Sequence, residues 1–122
     1  MAKKPKPADR TAFWGVVRLL KLLASPRDQR GVRIRITDRI PKDCLGDCTQ
    51  YEKHYLIRLN KEALENSPEI IYMLLAHEWA HALAWENCSH SHGDAWGIAL
   101  AKSWRVISGE VSVGDVIDAE LG

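Results

Sequence analysis

Apolar positions along the chain repeat with two different periods. In TAFWGVVRLLKLLA, residues 11–24, Phe13, Val16, Val17, Leu20 and Leu23 recur at helical spacing while Arg18 and Lys21 occupy the other face, which predicts an amphipathic helix. Ser25-Pro26 ends it, because the residue before a proline is driven out of the helical region. After Gly31 the period becomes two. VRIRITD puts Val32, Ile34 and Ile36 on one face and Arg33 and Arg35 on the other, the pattern of a half-buried strand. Residues 41–50, PKDCLGDCTQ, are rich in turn formers and separate that strand from YEKHYLIRLN, where Tyr55, Ile57 and Leu59 share one face and His54, Leu56 and Arg58 the other. A small antiparallel sheet is the expectation.

Ser67-Pro68-Glu69 predicts a helix start, with serine as N-cap, proline at the first helical position and a carboxylate near the positive end of the dipole. The helix should run to about Asn87, roughly 30 Å at 1.5 Å per residue. Ile70, Ile71, Met73, Leu74, Leu75, Ala76, Ala80, Ala82, Leu83 and Ala84 make it apolar almost all round, and such a helix is expected to be buried. A last helix is predicted from Ser91, where Ser91-x-x-Asp94 fits the aspartate form of a capping box. Trp96, Leu100 and Trp104, four apart, with Ile107, read as its core stripe. Around Val111, Val113, Val116 and Ile117 the pattern selects neither helix nor strand.

A chain of 122 residues is the size of one domain that can bury a core without disulfides. Residues 1–9, with Lys3, Lys4, Lys6 and two prolines, are expected to be a flexible basic tail, leaving residues 10–122 as a single domain. No apolar run approaches the roughly 20 residues of a membrane span, and MAKKPKPADR lacks the apolar core of a signal peptide, so a cytoplasmic protein with no membrane association is expected. Three cysteines, Cys44, Cys48 and Cys88, argue against a disulfide framework. A Cys3His zinc site from Cys44, Cys48, Cys88 and His90 would lack the usual C-x2-C spacing. The net charge of +1 conceals an asymmetry: residues 1–39 hold 11 Lys and Arg against 3 Asp, and residues 40–122 hold 6 basic against 13 acidic. Either the first part has an acidic partner, with nucleic acid the first candidate, or it presents a solvated basic face.

The chemistry lies in HEWAH, residues 77–81. His77 and His81, four apart on a helix, lie on one face and can both reach a single metal ion. Glu78 stands beside them, where it can take a proton from a zinc-bound water without being a ligand. Three ionisable groups in a buried apolar helix cost several kcal/mol unless they are paired or metal-bound. Catalytic zinc usually takes three protein ligands and leaves one position open. The metzincin spacing would need glycine at 84 and histidine at 87, but the chain has Ala84 and Asn87. Glu86, His90, His92 and Asp94 remain. Glu86, nine residues after His77, points about 180° away. His90 falls in the connecting turn, His92 in the predicted first turn of the last helix beside the small Gly93, and Asp94 doubles as its cap.

HEWAH followed by HGDAW, residues 92–96, resembles the SprT-like (Spartan-type) zinc peptidases, whose pattern is H-E-x-x-H and then H-G-x-x-(F/W). The resemblance spans about residues 10–107 and rests on the two motifs. It implies an α+β, zincin-like fold: an N-terminal helix, a small antiparallel sheet, a buried HExxH helix, and a following helix that carries the third ligand. It implies one catalytic Zn2+ held by His77, His81 and His92, Glu78 as general base, and Trp96 as the aromatic packing position. His90 competes with His92 on sequence alone. Many members carry a C-terminal four-cysteine zinc ribbon; none is present in the sequence through Gly122, so the DNA recognition that module supplies is expected to be missing.

The implied function is a zinc metallopeptidase acting on protein or peptide substrates, including DNA-associated proteins. In that arrangement the strand at residues 54–59 is expected to run along the cleft, where an extended peptide could pair with its edge. Tyr51, His54, Tyr55 and Arg105 are candidates for steadying the oxyanion. The rivals are a zinc-stabilised DNA-binding or regulatory module without turnover, and a hydrolase of non-peptide amides. Glu78 argues against the module, since a structural metal site gains nothing from a water-activating carboxylate.

Overall fold

A computed structural model describes residues 10–41, 44–66, 68–85 and 92–109. The predicted amphipathic helix is α1 (Arg10–Leu23), which buries Phe13, Val17 and Leu20 and leaves Arg18 and Lys21 in solvent. The strand after Gly31 is β1 (Gly31–Thr37), with Val32 buried and Arg33 and Arg35 exposed. The second predicted strand is β3 (His54–Asn60), where Tyr55, Ile57 and Leu59 alternate inward as the period-two pattern requires.

The sheet departs from expectation. Residues 41–50 do not all turn: β2 (Gly46–Gln50) lies within them and pairs antiparallel with β3, Gly46 opposite Leu59 and Gln50 opposite Tyr55. β1 pairs with β3 in parallel, Gly31 opposite His54 and Thr37 opposite Asn60. The order is β1-β3-β2, a mixed sheet and not an antiparallel one. Two parallel strands need a crossover of a dozen or more residues, and the stretch between β1 and β3 supplies it while placing β2 on the far edge. The β2–β3 hairpin closes through Tyr51 N donating to His54 O at 2.7 Å.

A short helix absent from the periodicity reading, α2 (Lys61–Asn66), follows β3 directly. Asn60 starts it: its Oδ1 accepts a hydrogen bond from Glu62 N at 2.8 Å, satisfying one of the amides the first helical turn leaves over. The HExxH helix is α3 (Pro68–Leu83), and α4 (Asp94–Ile107) comes last. The domain is therefore α+β, with a three-stranded mixed sheet and four helices among the described residues. None of these helices is long and apolar enough to cross a membrane.

Two expectations about the helices change. α3 is buried through Ile71, Leu75, Ala76, Trp79, Ala80 and Ala82, yet Ile70 and Met73 stand 44% and 61% exposed, so its first turns keep an open apolar face. In α4 the buried positions are Ala99, Ser103 and Val106, whereas Trp104 is exposed and Trp96 and Leu100 are only partly covered. The Trp96–Leu100–Trp104 stripe is thus the flank of the helix. Small residues, Ala80 and Ala84 against Ala99, form the contact itself and let the two helix axes approach closely.

Two tethers hold these layers together. Trp79, fully buried in α3, donates from Nε1 to Ala24 O at 2.7 Å, which caps a carbonyl left over at the end of α1. Asp28, in the loop before β1, accepts from Tyr55 Oη at 2.5 Å, Arg30 N at 3.0 Å and Arg30 Nη1 at 2.7 Å. Arg30 Nε in turn donates to Tyr51 O at 2.9 Å, so one arginine joins this loop to the β2–β3 turn.

Trp79→Phe keeps most of the apolar bulk but leaves Ala24 O without that donor; a loss of about 1–3 kcal/mol in urea denaturation is expected. Burial alone would raise the Asp28 carboxyl, but its bonds from Tyr55 and Arg30 outweigh burial and hold it below the usual carboxylate range. A depressed folded pKa adds stability above the unfolded value, about 3.9, and loses it as pH falls through the folded value. Stability should therefore fall below about pH 4 in the native chain, and Asp28→Asn should flatten that part of a denaturation-against-pH curve.

Candidate metal centre

His77 and His81 lie one turn apart on α3 with ring centroids 5.0 Å apart. Their shared face is closed by His92, whose ring lies 4.9 Å from His77 and 5.0 Å from His81. His92 is not in the first turn of a helix, as the capping-box reading has it. α4 begins at Asp94 with Gly93 as its N-cap and no side-chain cap, and His92 sits in the extended segment just before it. Ser91 of the expected box lies outside the described residues.

One ligand atom from each of the three imidazoles falls within 4.8 Å of the others. His77 Nε2 and His92 Nε2 are 3.2 Å apart. Two nitrogens bound to one tetrahedral zinc at roughly 2.0–2.1 Å stand about 3.3 Å apart, so this spacing fits a shared ion. An N–H···N hydrogen bond allows the same distance, but a bonded pair does not need a third ring equidistant from both. The donor set, three neutral-capable imidazoles, is one of those that zinc takes in catalytic sites. Burial, and next the neighbouring His92, push the His77 pKa down, which favours the neutral ring whose nitrogen can bind metal.

Trp96 holds the arrangement from the α4 side. Its Nε1 donates to His77 O at 3.3 Å, and its ring lies 4.6 Å from that of His92 and 5.1 Å from that of His77, edge to face in both cases. This is the position that the second motif reserves for an aromatic.

Glu78, 5% exposed, faces the sheet. A Cβ built on Gly46, the first residue of β2, would meet Arg58 O at 3.0 Å, Leu59 Cδ2 at 3.1 Å and Glu78 Cγ at 3.4 Å. The start of β2 therefore lies beside the Glu78 side chain, and the crowding that a side chain at 46 would meet comes from Arg58 O and Leu59 of β3. Asp47, next along the strand, is paired with Arg58, whose Nε donates to Oδ1 at 2.8 Å. Burial first, and the Asp47 charge second, push the Glu78 carboxyl up to about 7. Cys48 follows; burial, then Glu78, then Asp47 push its thiol up to about 12, so it stays protonated. Cys44 and Cys48 carry free thiols, Cys44 Sγ donating to Gly46 O at 2.9 Å.

Gly46, Asp47 and Cys48 are the site neighbours that the sequence reading missed. Proline, aspartate and glycine around them read as a turn; the signal available was Cys48-Thr49-Gln50, strand-compatible and a hairpin's length from Tyr55. The strand expected along the cleft, residues 54–59, is instead central, with both of its edges paired, and β2 is the edge strand on the Glu78 side.

The other candidates fall elsewhere. Among the described residues, His77, His81 and His92 make up the His, Cys, Asp and Glu cluster with metal-ligand spacing, and Asp94 is exposed in the first turn of α4, outside it. Glu86, Cys88 and His90 lie outside the described residues. Tyr51 and His54 stack on each other at the hairpin turn, 5.0 Å apart, roughly 15 Å along β2 from Gly46. Tyr55 Oη is committed to Asp28 and Gln50. Arg105 is nine residues beyond Trp96 on α4, roughly 14 Å along the axis.

Fold and site together define a class: an α+β domain in which one buried helix and the segment before the next bring three imidazoles together beside a buried carboxylate. Within that class the chain belongs to the SprT-like family, whose family model matches residues 8–111. A search of curated protein sequences finds no match.

If His92 completes a three-histidine site, His92→Ala should lower bound zinc well below one equivalent by elemental analysis, while His90→Ala retains it. A full zinc equivalent in His92→Ala would remove His92 from the ligand set.

Proposed function

We propose that this chain is a zinc metallopeptidase with a zincin-like arrangement, in which His77, His81 and His92 hold one ion and Glu78 is the general base. The observation that carries this reading is the pairing of the triad with a buried Glu78 on the same helix, beside β2. When bound, zinc would supply Lewis-acid activation of a water and of the scissile carbonyl. Glu78 takes the proton of the attacking water and hands it to the leaving amine, a task suited to a carboxyl whose burial brings its proton affinity near neutral pH.

The outer edge of β2 offers main-chain groups along which an extended peptide can add as a further strand, which suits a peptide bond held at the triad. Arg18, Lys21, Arg27, Arg33 and Arg35 are all exposed, and this basic surface on α1, β1 and the loop between them supports substrates that are bound to nucleic acid. A zinc-stabilised DNA-binding module would account for the triad and the basic face. It leaves Glu78 unexplained, because burying a carboxylate beside Asp47 costs stability and a structural ion does not require it.

Glu78→Gln keeps the shape of the side chain and removes its proton chemistry. The variant should retain one equivalent of zinc and lose cleavage of a protein substrate, with or without DNA, by about 100-fold or more. Unchanged cleavage would overturn the mechanism.

A further inference from the structure

An apolar cavity of about 280 Å3 opens between α3 and α4, walled by Met73, Ala76 and His77 on one helix and Leu100 and Trp104 on the other. Its position is specific. His77, a member of the triad, is part of its wall, together with Met73 one turn earlier on α3 and Trp104 on α4. The volume is just under the roughly 300–1,000 Å3 of small-molecule pockets, a size for one large side chain. Met73 is 61% and Trp104 42% exposed, so two large apolar side chains meet water where the helices could have closed over them. The small Ala80, Ala84 and Ala99 bring the helices together beyond the triad, while toward Met73 and Trp104 the gap stays open.

We propose that this cavity receives a bulky apolar side chain of the peptide substrate, at a position adjacent to the bond held at the triad. The identity of the occupant rests on the peptidase reading above. Successive residues of an extended chain advance about 3.3 Å, so a peptide whose carbonyl lies at His77 brings a neighbouring side chain to the cavity mouth. Among the described residues no Asp, Glu, Lys or Arg lines the cavity, so a charged occupant would be desolvated without such a partner; leucine, methionine and phenylalanine are matched and aspartate and lysine are not. The Trp96–Leu100–Trp104 stripe thus has two roles: Trp96 braces the histidines, and the next two turns form the wall of a specificity pocket.

The test uses the full chain loaded with zinc and peptides varied at single positions. Cleavage is profiled for the native sequence, and binding without turnover is read by fluorescence anisotropy in the Glu78→Gln background. Both profiles should favour Leu, Met and Phe over Asp and Lys at one position by roughly tenfold or more. Met73→Glu, at an exposed position, should shift that preference toward Lys and Arg with melting temperature and zinc content unchanged. Trp104→Ala should flatten it. An unchanged preference in Met73→Glu overturns the proposal. So does a drop in melting temperature or a change in oligomeric state without a change in preference, which would mean that another stretch of the chain or a second copy fills the cavity. Side-chain preference in binding with no cleavage by the native chain would keep the pocket and overturn the peptidase reading. Cleavage indifferent to that side chain would do the reverse.

Discussion

Seating a carboxylate and two imidazoles in the part of a helix that packs into the core is the constraint on which this domain depends. Each ionisable group taken from water must be compensated locally or it destabilises the fold by several kcal/mol. Successive positions of α3 meet this demand against different elements. His77 turns to His92 and Trp96, Glu78 to β2, Trp79 to the Ala24 carbonyl just after α1, and Ala80 to the alanine contact with α4. One turn of helix thereby fixes the position of almost every other layer.

β2 shows how tightly the site and the sheet are coupled. Its first residue is glycine where an added Cβ would crowd Arg58 O and Leu59 Cδ2 of β3 and touch Glu78 Cγ, and its second residue is an aspartate paired with Arg58 of the neighbouring strand. The Asp47–Arg58 pair sits at a partly exposed edge, where such pairs add little to stability. Its effect is local: it anchors the strand that bounds the carboxylate and places a negative charge near it. Among the described residues the same edge has no sheet partner, so the strand beside Glu78 also carries main-chain groups open to pairing.

Charge is distributed in step with this layout. Arg18, Lys21, Arg27, Arg33 and Arg35 are exposed on α1, β1 and the loop between them, while the buried Glu78 and His81 lie on α3. The sheet order puts β1 and β2 on opposite edges, so the arginine-bearing strand and the strand that covers Glu78 do not compete for the same surface.

Local pattern determined a good deal on its own. The face of α1, the inward residues of β1 and β3, the proline start of α3 and the one-turn spacing of His77 and His81 all follow from side-chain periodicity and proline geometry, which act over a few residues. HGDAW also carried information, because a histidine followed by glycine and an aromatic at this distance matched a known second motif. The tertiary structure decided what periodicity cannot encode. Whether β1 pairs parallel or antiparallel depends on where the intervening chain goes, and β2 became a strand because it had β3 to pair with and Glu78 to cover, despite turn-rich residues. Likewise, the stripe on α4 looked like core by spacing alone, but helix packing is set by how closely two axes approach; the alanines took the contact and left Leu100 and Trp104 on the flank. The sequence determined which groups could do chemistry, and only the packing of α3 against its neighbours decided which of them meet.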